Sequence, residues 1–370
     1  MDTVKDVEFP PDINMNYNVT TNNFYLTFWK TGIPTLFVIL VGIRWFIAII
    51  GFFTNLILFW VFAVNRKTFQ GTCHILIGTN ALTTSLFEFS LTIGFIMQLI
   101  GIQFVNIPIC LALQAFPIFC RNFIISSICV IALDRLLSTA FMSWHLKNGE
   151  TLKYKIFLFS FCFIHGISFV AASLYSSIIM PELKEVCISS DDCYQGKVEN
   201  ILFHINVAIF LIVLVFYIAI WIFLRTLHKS NASLDWTKRI IKSLTLTALT
   251  ITTGWLSYNA LQAFLLPAIS NWFGPVQFAY FSFIFSFLPY IAMALNAPIL
   301  VIFSKDYRLA FCKTFWFIPG LAQFYAQQHI TSIKINSISP SKMNQNNKIQ
   351  PSSSSPLFVK SKDKRVSVKN

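Results

Sequence analysis

Residues 109–137 read ICLALQAFPIFCRNFIISSICVIALDRLL. Arg121 is the one charge in this run until Asp134-Arg135 closes it. Apolar and polar positions do not alternate with period two, so the stretch is not a barrel strand. As a continuous helix, the twenty-five residues from Cys110 to Arg135 rise about 37 Å, the hydrocarbon core plus part of both interfaces. One helix therefore carries a cysteine at one membrane rim and an acid–arginine pair at the other.

Working outward, six further apolar stretches have the same length class. With the first they form seven spans at Leu36–Val64, His74–Ile100, Ile109–Leu137, Lys155–Met180, Ile201–Leu224, Ile240–Ile269 and Val276–Phe303. Hydrophobic residues are 55% of the chain and charged residues 12%, a balance that suits lipid-facing surface and not a water-soluble globule. The expected architecture is an all-α integral membrane protein. A tail (1–35) precedes a seven-helix bundle (36–303), followed by an amphipathic juxtamembrane helix (304–322). A disordered basic tail (323–370), rich in Ser, Asn and Lys, ends the chain. No internal repeat is visible.

The basic residues set an orientation. Arg66, Lys67, Lys147, Lys153, Arg225, Lys229, Lys238, Arg239 and Lys242 fall on one side, together with the Lys-rich tail. Opposite them stand mainly acids, including Asp2, Asp6, Glu8, Asp191, Asp192 and Glu199. By the positive-inside rule the amino terminus lies outside, and the net charge of +13 reads as topology and not as nucleic-acid binding. The sequon Asn18-Val19-Thr20 falls in the outer tail, which makes Asn18 a glycosylation candidate. The polar, acidic opening does not resemble a cleavable signal peptide, so the first span is expected to act as the insertion signal.

Cys110, Cys187 and Cys193 face the oxidising side, and one pair among them is expected. Cys110 would join the second outer loop through Cys187 or Cys193, with a slight preference for Cys193, laying that loop over the bundle. Cys312 falls just past the eighth helix on the reducing side, where it is a lipidation candidate. Arg44, Glu88 and Arg121 are charges within spans, and each must face the bundle interior or water. Either Glu88 pairs with Arg121 or Arg44 and fixes helix register, or an arginine stays available to an acidic or polar ligand. His165 and His204 stand without convergent carboxylates, so neither a metal site nor any other cofactor is expected.

From Gly51 to Lys313 the chain resembles the rhodopsin-like receptors, most closely the nematode serpentine chemoreceptors of the Srsx class. The resemblance is carried by Gly51 and Asn55, by Cys73-His74-Ile75-Leu76-Ile77-Gly78 with Ala81-Leu82, and by Cys110 with Asp134-Arg135-Leu136. It continues through Tyr217, Gly254-Trp255, Asn296-Ala297-Pro298 and Ser304-Lys305-Asp306-Tyr307-Arg308. It implies a receptor that binds an extracellular small molecule or peptide within the bundle and activates a heterotrimeric G protein from a multi-pass position in the plasma membrane. Asp134, Arg135 and Tyr217 would form the coupling latch, with Lys238 and Arg239 nearby. Trp255, Asn296 and Pro298 would be activation switches, and Arg121, Glu88 and Trp255 pocket candidates.

Several positions depart from the family pattern. Thr84 stands where a second-helix Asp is usual, Ser257 replaces a sixth-helix proline, and the fifth span has no proline. Sodium regulation and the usual helix kinks are thereby put in question, while the latch remains. A transporter or channel is the competing reading, but it lacks repeat symmetry and rings of pore charge. An enzyme lacks a catalytic constellation.

Overall fold

The computed structural model describes residues 30–194, 196–227, 235–265 and 275–317, with Phe28, Ala268 and Trp272. Side chains at 196–197, 226–227, 235–244, 246–247 and 275 lie outside the description. The chain runs α1 (Thr35–Val64), α2 (Thr72–Leu99), β1 (Val105–Asn106), α3 (Ile107–Ala140), α4 (Met142–Asn148), α5 (Leu152–Ile179) and β2 (Lys184–Glu185). A 3-10 turn (Ser190–Cys193) leads to α6 (Gly196–Leu227), α7 (Asp235–Ala260), a π-helical turn (Leu261–Leu265), α8 (Pro275–Phe285), α9 (Phe287–Phe303) and α10 (Lys305–Thr314). Residues Met1–Phe315 form one compact unit and Trp316–Asn370 another. Of the second unit only Trp316 and Phe317 are described.

Among the described residues six helical spans are long and apolar enough to cross a membrane: α1, α2, α3, α5, most of α6, and α8–α9 taken together. Helix α7 falls short of that measure because Thr245, Thr247, Thr250, Thr252 and Thr253 dilute its apolar residues. It packs against α6 and α9 and so completes a seven-helix bundle.

The bundle buries its polar residues and shows its apolar ones, as a bilayer solvent requires. On α1, Arg44 and Asn55 share the buried face with Phe37, Val41, Ala48 and Leu58. Phe46, Phe53 and Trp60, seven residues apart, are exposed. Helix α3 is buried over most of its length and touches α2, α5, α6 and α7, so its side chains reach every part of the interior. It passes through Pro117 without a break.

Two irregularities interrupt the last spans. The sixth span ends in the π-helical turn Leu261–Leu265, a local widening that re-aims a helix without proline. The seventh span breaks at Ser286 between α8 and α9. There Arg44 Nη1 donates to Ser286 Oγ at 3.2 Å, and Ser286 Oγ donates to the Phe283 carbonyl at 2.6 Å.

At the Cys110 end the long connection between α5 and α6 folds back over the bundle. β1 and β2 pair antiparallel, Val105 opposite Glu185 and Asn106 opposite Lys184. Two residues past β2, Cys187 forms the disulfide with Cys110. This corrects the preference for Cys193. Strand pairing brings position 187 to the first turn of α3, whereas Cys193 keeps a free buried thiol, its Sγ 3.3 Å from that of Cys110. Cys187 has φ +52°, and the chain turns there toward the interior. Depth is set at Gly94 of α2, where a Cβ would lie 2.5 Å from the Ile188 carbonyl oxygen.

At the opposite end α10 lies along the mouth of the bundle. Tyr307 is buried, its ring stacks on Phe69 at 4.8 Å, and its hydroxyl lies 3.0 Å from His74 Nδ1. Asn18 and the serine-rich tail lie outside the described residues.

Candidate functional site

Two buried arginines on α3 organise the interior. Arg121 is 1% exposed and stands eleven residues after Cys110, roughly 16 Å along the helix axis. Its guanidinium makes an ion pair with Asp191 of the 3-10 turn. Trp255 of α7 lies on one side of the guanidinium, 5.2 Å from ring centroid to Cζ, and Tyr194 on another at 5.8 Å. Cation–π contacts of this kind are worth up to about 2 kcal/mol when desolvated. The Tyr258 hydroxyl donates to the other Asp191 oxygen at 2.8 Å, and Asn122 Nδ2 donates to the Tyr194 hydroxyl at 3.1 Å. Two helices, α3 and α7, and the loop thus meet on one cation.

The loop is pre-shaped for this contact. Asp192 Oδ2 accepts the backbone N–H groups of Ile188 and Ser189, each at 2.7 Å, in a capping box that fixes the turn carrying Asp191. Burial pushes the Asp192 carboxyl above the usual range, against the opposing pull of Arg44 and of these bonds.

Glu88 pairs with neither arginine. Arg44 is engaged by Ser286 and stacks over Phe283 at 4.3 Å, and Arg121 by Asp191. Instead Glu88 Oε2 accepts from Asn55 Nδ2 at 3.1 Å, and Asn296 Nδ2 donates to Asn55 Oδ1 at 3.1 Å. Asn55 also donates to the Gly51 and Met293 carbonyls. An amide–carboxyl network therefore ties α1, α2 and α9 at mid-depth, with the Glu88 carboxyl packed onto Gly51, where a Cβ would lie 1.9 Å from Oε1. Pro298 follows within α9, as the sequence placed it.

At the far end of α3, Arg135 Nη2 donates to Asp134 Oδ2 at 2.8 Å. Asp134 is fully buried and has two further partners. His145 Nε2 from α4 lies 3.0 Å from Oδ1, and the Tyr154 hydroxyl of α5 donates to the same oxygen at 3.1 Å. Asp134 is therefore the hub of a four-residue cluster: it holds Arg135 and is itself held by His145 and Tyr154. Tyr217 is buried with its hydroxyl unbonded among the described residues. It lines a cavity of about 30 Å³ with Asn80, Asn296 and Leu300.

Lys238 and Arg239 lie on α7, and their side chains fall outside the described residues. Cys312 sits on the buried face of α10, so an acyl chain there would require that helix to roll outward. No group of three His, Cys, Asp or Glu able to hold a metal occurs among the described residues. Asp191, Tyr194, Tyr258, His145 and Tyr154 were not singled out from the sequence. Asp191 stands in an acidic loop pair and the aromatics in a chain full of aromatics, so no local signal marks them.

No curated protein matches the chain. The model of the serpentine-type 7TM GPCR chemoreceptor family Srsx matches residues 48–315, from mid-α1 to the end of α10. That span holds both arginine clusters, the disulfide and the Asn55–Glu88–Asn296 network. The chain is a multi-pass membrane protein and a member of the serpentine-type 7TM GPCR chemoreceptor family Srsx.

Proposed function

We propose that the protein is a chemosensory receptor of the plasma membrane, with its amino terminus and the Cys110 end outside, which activates a heterotrimeric G protein through Arg135. The observation that carries this reading is the Asp134 cluster. A guanidinium at the helix end is held by a buried carboxylate that three helices supply with partners. Outward movement of α7 would open the space into which Arg135 can swing, by a change of rotamer, toward a partner backbone and the unbonded Tyr217 hydroxyl. Lys238 and Arg239 on α7 are cations and cannot hold Arg135 by an acid lock, so restraint falls to the α3–α4–α5 side.

Receptor in lipid nanodiscs with purified heterotrimeric G protein tests this by guanine-nucleotide exchange. Asp134→Asn should raise basal exchange severalfold. Adding Arg135→Ala, or Arg135→Lys, should return it to that of empty discs, because Lys lacks the planar five-donor fork. Full exchange by an Arg135→Lys receptor would refute the latch. Ligand-evoked current in membranes free of G protein would favour the channel reading.

A further inference from the structure

We propose that Asp191 is a tethered stand-in for the ligand: the pocket takes a small carboxylic acid with an apolar body, whose carboxylate displaces Asp191 from Arg121. This rests on the reading of the chain as a ligand-binding receptor and names the class of its ligand.

The pair is asymmetric. Arg121 lies on the central helix and is 1% exposed, whereas the Asp191 side chain, on the loop, is 20% exposed. The Arg121 side chain is enclosed within the bundle, while the partly exposed Asp191 can withdraw by a rotamer change or a small movement of one 3-10 turn. A carboxylate on a loop is the displaceable half.

The cation also has bonding capacity to spare. Arg121 Nε and Nη2 find no acceptor in good geometry among the described residues. Trp255 Nε1, on the ring beside the guanidinium, and Gln114 Nε2, seven residues before Arg121 on α3, are buried donors without partners among the described residues. Buried donors are seldom left unmet without a reason, and a carboxylate free of a loop backbone can take the two-pronged geometry that Asp191 does not. Tyr194, Trp255, Tyr258 and Phe203, all buried, supply an aromatic surround for an apolar body. Of the other interior acids, Glu88 is bound to Asn55 and Asp192 to its own turn.

Displacement would be felt where it matters. The Arg121 guanidinium rests against Trp255, the core residue of α7 that packs toward Phe87. Exchange of carboxylates would also free the Tyr258 hydroxyl, three residues further along α7. Both changes act on the helix whose movement is proposed to release Arg135.

The test is chemical rescue with simple acids. Full-length Asp191→Ala protein in detergent should melt below the native chain. Acetate, benzoate and phenylacetate, against chloride at equal ionic strength, should raise its melting temperature saturably, while the matching amides do not. The native chain should need at least about tenfold more acid, because its own linked carboxylate competes at an effective concentration in the millimolar class. Adding Arg121→Gln should abolish the rescue. If Asp191→Ala cannot be purified, Asp191→Asn, which keeps an acceptor for Tyr258, serves in the same comparison. Acids that shift neither variant more than chloride, or that still rescue without Arg121, would overturn the proposal. Melting is read without G protein, so a failure here is distinct from a failure of nucleotide exchange.

Discussion

The two Arg–Asp pairs on α3 are built from the same chemistry and differ in how their partners are connected. Asp134 is the neighbour of Arg135 in sequence, so the pair travels with the helix and can open only by a change of rotamer. Asp191 lies seventy residues from Arg121 in a loop pinned by a disulfide, so that pair opens by moving a segment. Near-neighbour acids suit a latch that must re-close whenever the helices return. A distant acid suits a site that something else is to occupy. Each buried pair must repay the cost of removing two charges from water, which only extra hydrogen bonds and good geometry achieve. Asp134 obtains them from His145 and Tyr154, and Asp191 from Tyr258.

The difference can be broken at its strongest point. The disulfide spans a separation of 77 residues, and closing such a loop is worth about 4 kcal/mol in the chain-entropy account. Cys193 must be silenced as well, since its sulfur lies 3.3 Å from that of Cys110. Cys187→Ser/Cys193→Ser should therefore show a large fall in melting temperature, with basal nucleotide exchange little changed. Cys193→Ser alone should match the native chain, and peptide mapping without reduction should find Cys110 joined to Cys187. A smaller loss is expected at Gly94→Val, which drives a side chain into the Ile188 backbone and should cost about 1–3 kcal/mol by overpacking. Its sharper signature is a lifted loop, read as faster labelling of the Cys193 thiol by a maleimide. Smallest is His145→Ala at the latch. Removing one of three partners of Asp134 costs the closed state about 1 kcal/mol, seen as a modest rise in basal exchange with melting almost unmoved.

The same contrast separates what could be read from the sequence from what could not. The spans were legible because bilayer thickness dictates their length: the reading Leu36–Val64 against the helix Thr35–Val64 differs by one residue. Asp134-Arg135 was legible because the partners are adjacent. Arg121 was legible as a buried charge, but its partner was not, since hydropathy says which segments cross and nothing about the path of a loop. Pairing of Glu88 with an arginine was one of two readings, since opposite charges attract, yet the packing of α1 against α2 put an amide beside it. The preference for Cys193 failed for a related reason. Position along a loop is a poor guide when two residues of strand pairing decide which sulfur meets α3.

The contact between Gly51 and Glu88 has a consequence for how such a chain can vary. The carboxyl fills the volume that a methyl group at 51 would take, so the two positions share a single allotment of space. Ala at 51 would have to push the Glu88 carboxyl aside, since the atoms its methyl group meets are the far end of that side chain. Asn55 and Asn296 are drawn in as well, because Asn55 donates to the same carboxyl and Asn296 donates to Asn55. Four positions on three helices thereby share one set of contacts, so a change at any of them is felt at the other three.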